Sequence, residues 1–140
     1  MASLRTLVLA GGVGQRLLGM TGGIPKQFYR PDGTRSLVEE TLIRVGPLAS
    51  ADRTTVVVGP GQEPFLRGTP LLSRGRVFVQ PDDRGTACAV LFGLASALEK
   101  DDNEDTAHRE EEELDDVVLI TPSDHGVARV AVFRHCRDRS

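Results

Sequence analysis

The stretch LVLAGGVGQRLLGMTGGIPKQF, Leu7 to Phe28, gathers residue types that handle phosphate. An apolar run stops at Gly11, Gly12 and Gly14, where backbone N–H groups can turn toward an anion with no Cβ in the way. Arg16 follows two places later and offers a planar fork for phosphate oxygens. Lys26, behind Pro25, supplies a compact ammonium on a flexible stem, suited to charge that moves between phosphate oxygens. The chain has 15 arginines and two lysines, and the other, Lys100, sits in an acidic run, so Lys26 runs against the chain's own usage. Pro25 before it and Phe28 after it would stiffen and anchor the segment. The loop fits neither common glycine pattern: the third glycine of G-x-G-x-x-G would fall at Leu17, and the lysine-serine pair of a Walker A loop is missing. On residue types alone, a phosphate cradle and a tight structural turn both remain open.

These residues need elements to hold them. Leu4 to Ala10 reads as a buried strand that stops at glycine. SLVEETLIRVGPL reads as a helix with Ser36 as cap and Glu39 three places on, a capping box, and Gly46-Pro47 ends it. RTTVVVG is a second strand, Gln62 to Arg67 a short helix, and GRVFVQ a third strand. Gly85 to Leu98 carries Val90, Leu91, Leu94 and Leu98 at helical spacing, and DVVLITP is a fourth strand. Strands with helical segments between them predict an α/β fold, a mostly parallel sheet with helices on both faces. Sites in such sheets form at the carboxyl ends of the strands, where the glycine loop lies.

At 140 residues, with 39% apolar and 26% charged residues, the chain suits one soluble globular domain. No window approaches eighteen unbroken apolar residues, so no membrane is expected. The N-terminal apolar run flows into the glycine loop without a small-residue cleavage site, which argues against a signal peptide. Cys88 and Cys136 form no motif, and a reducing, cytoplasmic setting is the default. Residues 99–116 hold 11 of the 20 acids and read as an acidic surface insertion; the remainder carries a net +6, which suits a phosphorylated ligand. With aromatics at 4% and no tryptophan, nucleic acid is a poor partner. The sequence leaves a homo-oligomer open.

LAGGVGQRL, then PKQF, then QPDDRGTACAV after strand three and LITPSDH after strand four together resemble the sugar-1-phosphate nucleotidyltransferases, most closely the mannose-1-phosphate guanylyltransferase group. The four motifs span Leu9 to His125 in the expected order. The resemblance implies a Rossmann-like, glycosyltransferase-A-type nucleotide-binding fold. It also implies that a nucleoside triphosphate (GTP favoured) and a sugar 1-phosphate (mannose 1-phosphate favoured) give the nucleotide sugar and pyrophosphate, with Mg2+. By that likeness Gly11, Gly12 and Gly14 would hold the phosphates, Arg16 would stabilise the pyrophosphate leaving group, and Lys26 would bridge charge near the α-phosphate. Asp124 in PSDH would bind magnesium, a hard ion suited to carboxylate and phosphate oxygens; the alternative is a helix cap or turn after Pro122. Gln80, Gly85 and Thr86 would meet the base, the amide on a purine edge and the glycine by close backbone approach; Thr86 also fits a helix cap. Cys88 is expected to be packed, and His125 to pack or hydrogen-bond rather than ligate. His108 and His135 belong to no motif.

Two departures stand out. Gln15 replaces the threonine or serine common in the family's loop, and the usual Trp-Pro pair is replaced by LLGMTGG. The family's chains also run well past the SDH-type motif, where they supply sugar-binding residues and a second acidic metal ligand, whereas this chain stops fifteen residues later. A truncated product, the N-terminal nucleotide-binding portion over residues 1–140, is therefore expected. Competing readings are a cytidylyltransferase of the methylerythritol phosphate pathway, against which RGTA and PSDH weigh, and a catalytically inactive nucleotide-binding fragment.

Overall fold

Valine, leucine and threonine dominate LRTLVLA, TTVVV and RVFV, and such side chains pack well on a pleated surface. In the computed structural model, which describes residues 4–99 and 117–124, these runs form β1 (Leu4–Ala10), β2 (Thr54–Val58) and β3 (Arg76–Val79). With β4 (Val117–Pro122) they make one sheet in the order β3-β2-β1-β4. Every pairing is parallel, with Val8 in register with Val56 on one side and Thr121 on the other.

Parallel neighbours need crossovers, and alternate strand residues face opposite sides, so each face requires a cover. Val8, Ala10, Val56 and Val58 pack with Val38, Leu42 and Val45 of α1 (Leu37–Val45). A short α2 (Glu63–Leu66) follows β2. Leu7 and Val57 point the other way and pack with Ala89 of α3 (Thr86–Glu99). The expected doubly covered, Rossmann-like sheet is what forms, with all five residues of β2 buried between the layers. On α3, Gly93 lies where the helix crosses the sheet. A Cβ there would stand 2.6 Å from Leu7 Cδ1 and 2.7 Å from Val57 Cγ2, so the missing side chain sets how closely helix and sheet approach.

The predicted capping box at α1 is present: Glu39 N–H donates to Ser36 Oγ, and Ser36 N–H donates to Glu39 Oε2 at 2.8 Å. Glu39 is buried and also pairs with Arg30 at 3.1 Å, which ties the helix start to the segment after Phe28. One expectation fails. Cys88 is exposed rather than packed, because it belongs to an exposed stretch, residues 81–88, and contact of α3 with the sheet begins at Ala89. Residues 100–116 of the acidic run lie outside the described residues, as do His108, His125, His135 and Cys136. Among the described residues no helix is long and apolar enough to cross a membrane.

Candidate active site

All four strands are parallel, so their carboxyl ends lie along one edge, and the loops leaving β1, β3 and β4 converge there. They enclose an open cleft of about 210 Å³. Gly11, Gly12, Lys26, Gln80, Gly85, Thr86 and Asp124, all singled out in the sequence, line it, with Gln27, Asp83 and Ser123 beside them.

The β1 exit is held from below by two buried amides. Gln27 Nε2 donates to Ala10 O at 2.6 Å and to Gln62 Oε1 at 2.9 Å. Gln62 Nε2 donates to Gly11 O at 3.0 Å, while its Oε1 also accepts the Gly59 N–H at 3.1 Å. Both side chains are nearly sealed from water, so these bonds offset the cost that an unpaired buried amide would impose. Close backbone approach explains the glycines here. A Cβ on Gly59 would meet Gly11 O at 2.4 Å, and one on Gly11 would meet Gln80 Oε1 at 3.0 Å.

Lys26 enters on a single 3-10 turn, Lys26–Phe28, whose Phe28 is buried and stacks on Phe65 with ring centroids 5.4 Å apart. Its Nζ forms an ion pair with Asp124 Oδ2, so a motif from β1 and one from β4 meet in the cleft. Asp124 is brought there by β4: the Ser123 N–H donates to Leu9 O at 3.0 Å, and Thr41 Oγ1 of α1 donates to Ser123 O at 3.2 Å. Gly14 has φ +62 and does not line the cleft; a Cβ on it would meet Lys26 Cγ at 3.0 Å, so its bareness makes room for the lysine stem. Arg16, on the 3-10 turn Gln15–Leu17, is exposed and likewise outside the cleft lining.

Gln80 is buried where the chain leaves β3, its N–H donated to Val58 O at 2.9 Å and its Oε1 close to Gly11. Asp83 Oδ1 accepts the Gly85 N–H at 3.2 Å, Gly85 takes φ +86, and α3 starts at Thr86. The cleft thus gathers a glycine loop, a lysine, a buried amide beside Gly11 and the start of a helix. Among the described residues no three acidic, histidine or cysteine side chains gather as a cage for a metal. Mg2+ asks for less: one or two carboxylates, with phosphate oxygens and waters completing its shell. Among the described residues Asp124, paired with Lys26, and Asp83, beside Gly85, are the carboxylates lining the cleft, a donor set that fits that requirement.

Sequence reasoning singled out neither Gln62 nor Asp83. Gln62 lies in no motif, and only its folded contact with the β1 exit marks it. Asp83 stood inside the quoted QPDDRGTACAV, where the Asp-Arg-Gly run is a turn signal that could have pointed to it.

Comparison with known proteins agrees with this geometry. The chain is 28% identical over 137 residues to mannose-1-phosphate guanylyltransferase 2 of Escherichia coli O157:H7, an alignment covering 94% of this chain and 26% of the relative. It is 37% identical over 95 residues to the bifunctional protein GlmU of Xanthobacter autotrophicus, covering 67% of this chain and 20% of that one. The crystal structure of a protein described as a mannose-1-phosphate geranyltransferase from Thermus thermophilus superposes with a TM-score of 0.75 at 31% identity, over 98% of this chain and 37% of that chain. The chain thus spans about a quarter of the length of the curated relatives it matches. A family model matches residues 6–140, and the chain belongs to the MobA-like NTP transferase domain family.

Proposed function

We propose that the cleft binds a nucleoside triphosphate, GTP in preference to the others, for transfer of its nucleoside monophosphate to a sugar 1-phosphate with release of pyrophosphate. Mannose 1-phosphate is the favoured acceptor, in line with the names of the relatives, and the acceptor and the full reaction are proposed for a protein of the relatives' length. The observation that carries the reading is the meeting of Gly11, Gly12, Lys26 and Asp124 at one sheet edge with Gln80, Gly85 and Thr86.

In-line attack by an acceptor phosphate oxygen on the α-phosphorus forms one P–O bond and breaks the bond to pyrophosphate, so the protein's task is alignment and charge stabilisation. The Gly11 and Gly12 backbone N–H groups hold the triphosphate. Lys26 exchanges its Asp124 partner for α-phosphate oxygens, a short movement for a flexible stem. Arg16, exposed next to the loop, folds over the departing pyrophosphate. Asp124 and Asp83, both lining the cleft, would hold Mg2+, which when bound would supply positive charge to the phosphates. Gln80 reads the base edge through its amide, while Gly85 and Thr86 allow close backbone approach.

Calorimetric titration of the chain with GTP, CTP, UTP and ATP in magnesium tests this reading. GTP is expected to bind best; CTP in first place would favour a cytidylyltransferase, and negligible heats for all four in a folded sample would overturn the assignment. Pyrophosphate release with and without mannose 1-phosphate then tests the acceptor.

A further inference from the structure

Gln62 lies in the turn after β2, outside every motif that points to chemistry, yet it is 3% exposed and its amide bonds to Gly11, Gly59 and Gln27. Two of these contacts bear on the phosphate loop. Gln62 Nε2 fixes the Gly11 carbonyl, and Gln27, which Gln62 orients, fixes the Ala10 carbonyl. In a trans peptide the C=O and the following N–H point in opposite directions. Holding the Ala10 carbonyl on the buried amides therefore turns the Gly11 N–H away from them, and holding the Gly11 carbonyl does the same for the Gly12 N–H. Both glycines line the cleft. The position asks for a donor and an acceptor on one rigid plane: glutamate lacks the donor, methionine lacks both, and asparagine is one methylene short.

We propose that Gln62 is a positioning residue for phosphate binding, its amide fixing the Gly11 carbonyl so that the Gly12 N–H is presented to a polyphosphate in the cleft. The proposal rests on the nucleotide-binding reading above and extends it to a residue that touches no ligand.

The test compares the chain with its Gln62→Met and Gln62→Asn variants, titrated with inorganic tripolyphosphate and with GTP, with the unfolding midpoint measured for each. Ser36→Ala, which weakens the α1 cap away from the cleft, serves as a control for lost stability alone. Gln62→Met is expected to weaken tripolyphosphate binding about tenfold and GTP binding by a similar factor, with Gln62→Asn in between. Ser36→Ala should lower the midpoint and leave tripolyphosphate affinity unchanged. The Gly12 amide signal, followed by NMR, should move on tripolyphosphate addition in the parent chain and lose that response in Gln62→Met. If Gln62→Met does not fold, the decision passes to Gln62→Asn. Tripolyphosphate affinity and Gly12 response unchanged in a folded Gln62 variant would overturn the proposal while leaving the nucleotide reading intact. A parent chain with no affinity for GTP or tripolyphosphate would overturn both.

Discussion

Gly14→Ala separates backbone strain from the placement of Lys26. Gly14 and Gly22 share nearly the same conformation, φ +62 and φ +65, but their surroundings differ. A Cβ on Gly22 meets nothing within 4 Å, whereas one on Gly14 lies 3.0 Å from Lys26 Cγ and 3.1 Å from its Cδ. An alanine held in the left-handed region costs roughly 1–2 kcal/mol, so both substitutions should lower stability by that amount. Gly14→Ala must also push the lysine stem off its preferred rotamer, an added cost of about 0.5–1.5 kcal/mol. In a chain of this size each kcal/mol corresponds to roughly 3–5 °C in the unfolding midpoint. Binding should separate the two more sharply than stability. A charge-assisted hydrogen bond contributes about 1.5–3 kcal/mol, and losing part of the lysine's contact with phosphate would weaken GTP binding roughly tenfold in Gly14→Ala and leave it unchanged in Gly22→Ala. Thermal unfolding and calorimetric titration of both variants are the assays. With Lys26→Ala as background the Cγ and Cδ contacts are gone and only the Cβ at position 26, 3.3 Å away, remains, so the cost of Gly14→Ala should fall to nearly that of Gly22→Ala. Equal stability losses in the parent background, with GTP affinity retained by Gly14→Ala, would refute the view that this glycine exists to seat the lysine.

Asp124→Asn removes charge at nearly constant shape and takes away the carboxylate that pairs with Lys26; GTP binding is expected to lose its dependence on magnesium while the far-UV circular dichroism stays unchanged, and an unaltered dependence would assign Asp124 to the turn alone. Ser36→Ala removes a fully buried cap and one half of the capping box, so an unfolding titration should register a loss of about 1–2 kcal/mol, and no loss would deny the cap its role. Asp32 is held below the usual carboxylate value of 3.8, first by the Thr34 backbone N–H and then by the Thr34 hydroxyl. A lowered folded value means that the stabilisation is present above that usual value and is lost as pH falls through the lower one. The stability gap between the chain and Asp32→Asn should therefore close on acidification below about pH 3.8, and a gap that widens there would reverse the sign.

The elements were legible because local signals agreed. Leu4–Ala10 stops at glycine, Ser36 and Glu39 announce the start of α1, and Thr54–Val58 is an unbroken apolar and β-branched run. The cleft members were legible where motif and strand end coincided, as with Gly11, Lys26, Gln80 and Asp124. What sequence could not give was the division of labour among similar residues. Gly12 faces the cleft while Gly14 lies under the Lys26 stem, a difference set by how the segment after Pro25 folds back. Gln62 was illegible for a stronger reason: a buried glutamine breaks the pattern of an apolar core, and its partners Gly11 and Gln27 lie 51 and 35 residues away.

The strand order also sets a timetable. β1, made first, lies between β2 and β4, and its pairing with β4 joins residues more than a hundred positions apart, Leu4 with Val117. β2 can pair with β1 and β3 with β2 early, but the opposite edge of β1 waits until the last described strand has been synthesised. Such distant closures are slow, and an apolar strand edge left open in the meantime invites pairing with other chains. Asp124 rides at the end of that late strand, so Lys26 gains its partner only in the final docking step. A nascent chain would acquire its glycine loop and lysine long before Asp124. A polyphosphate present during synthesis would meet a half-built cradle in which Lys26 still lacks Asp124, and it should act as a folding aid before the cleft is complete.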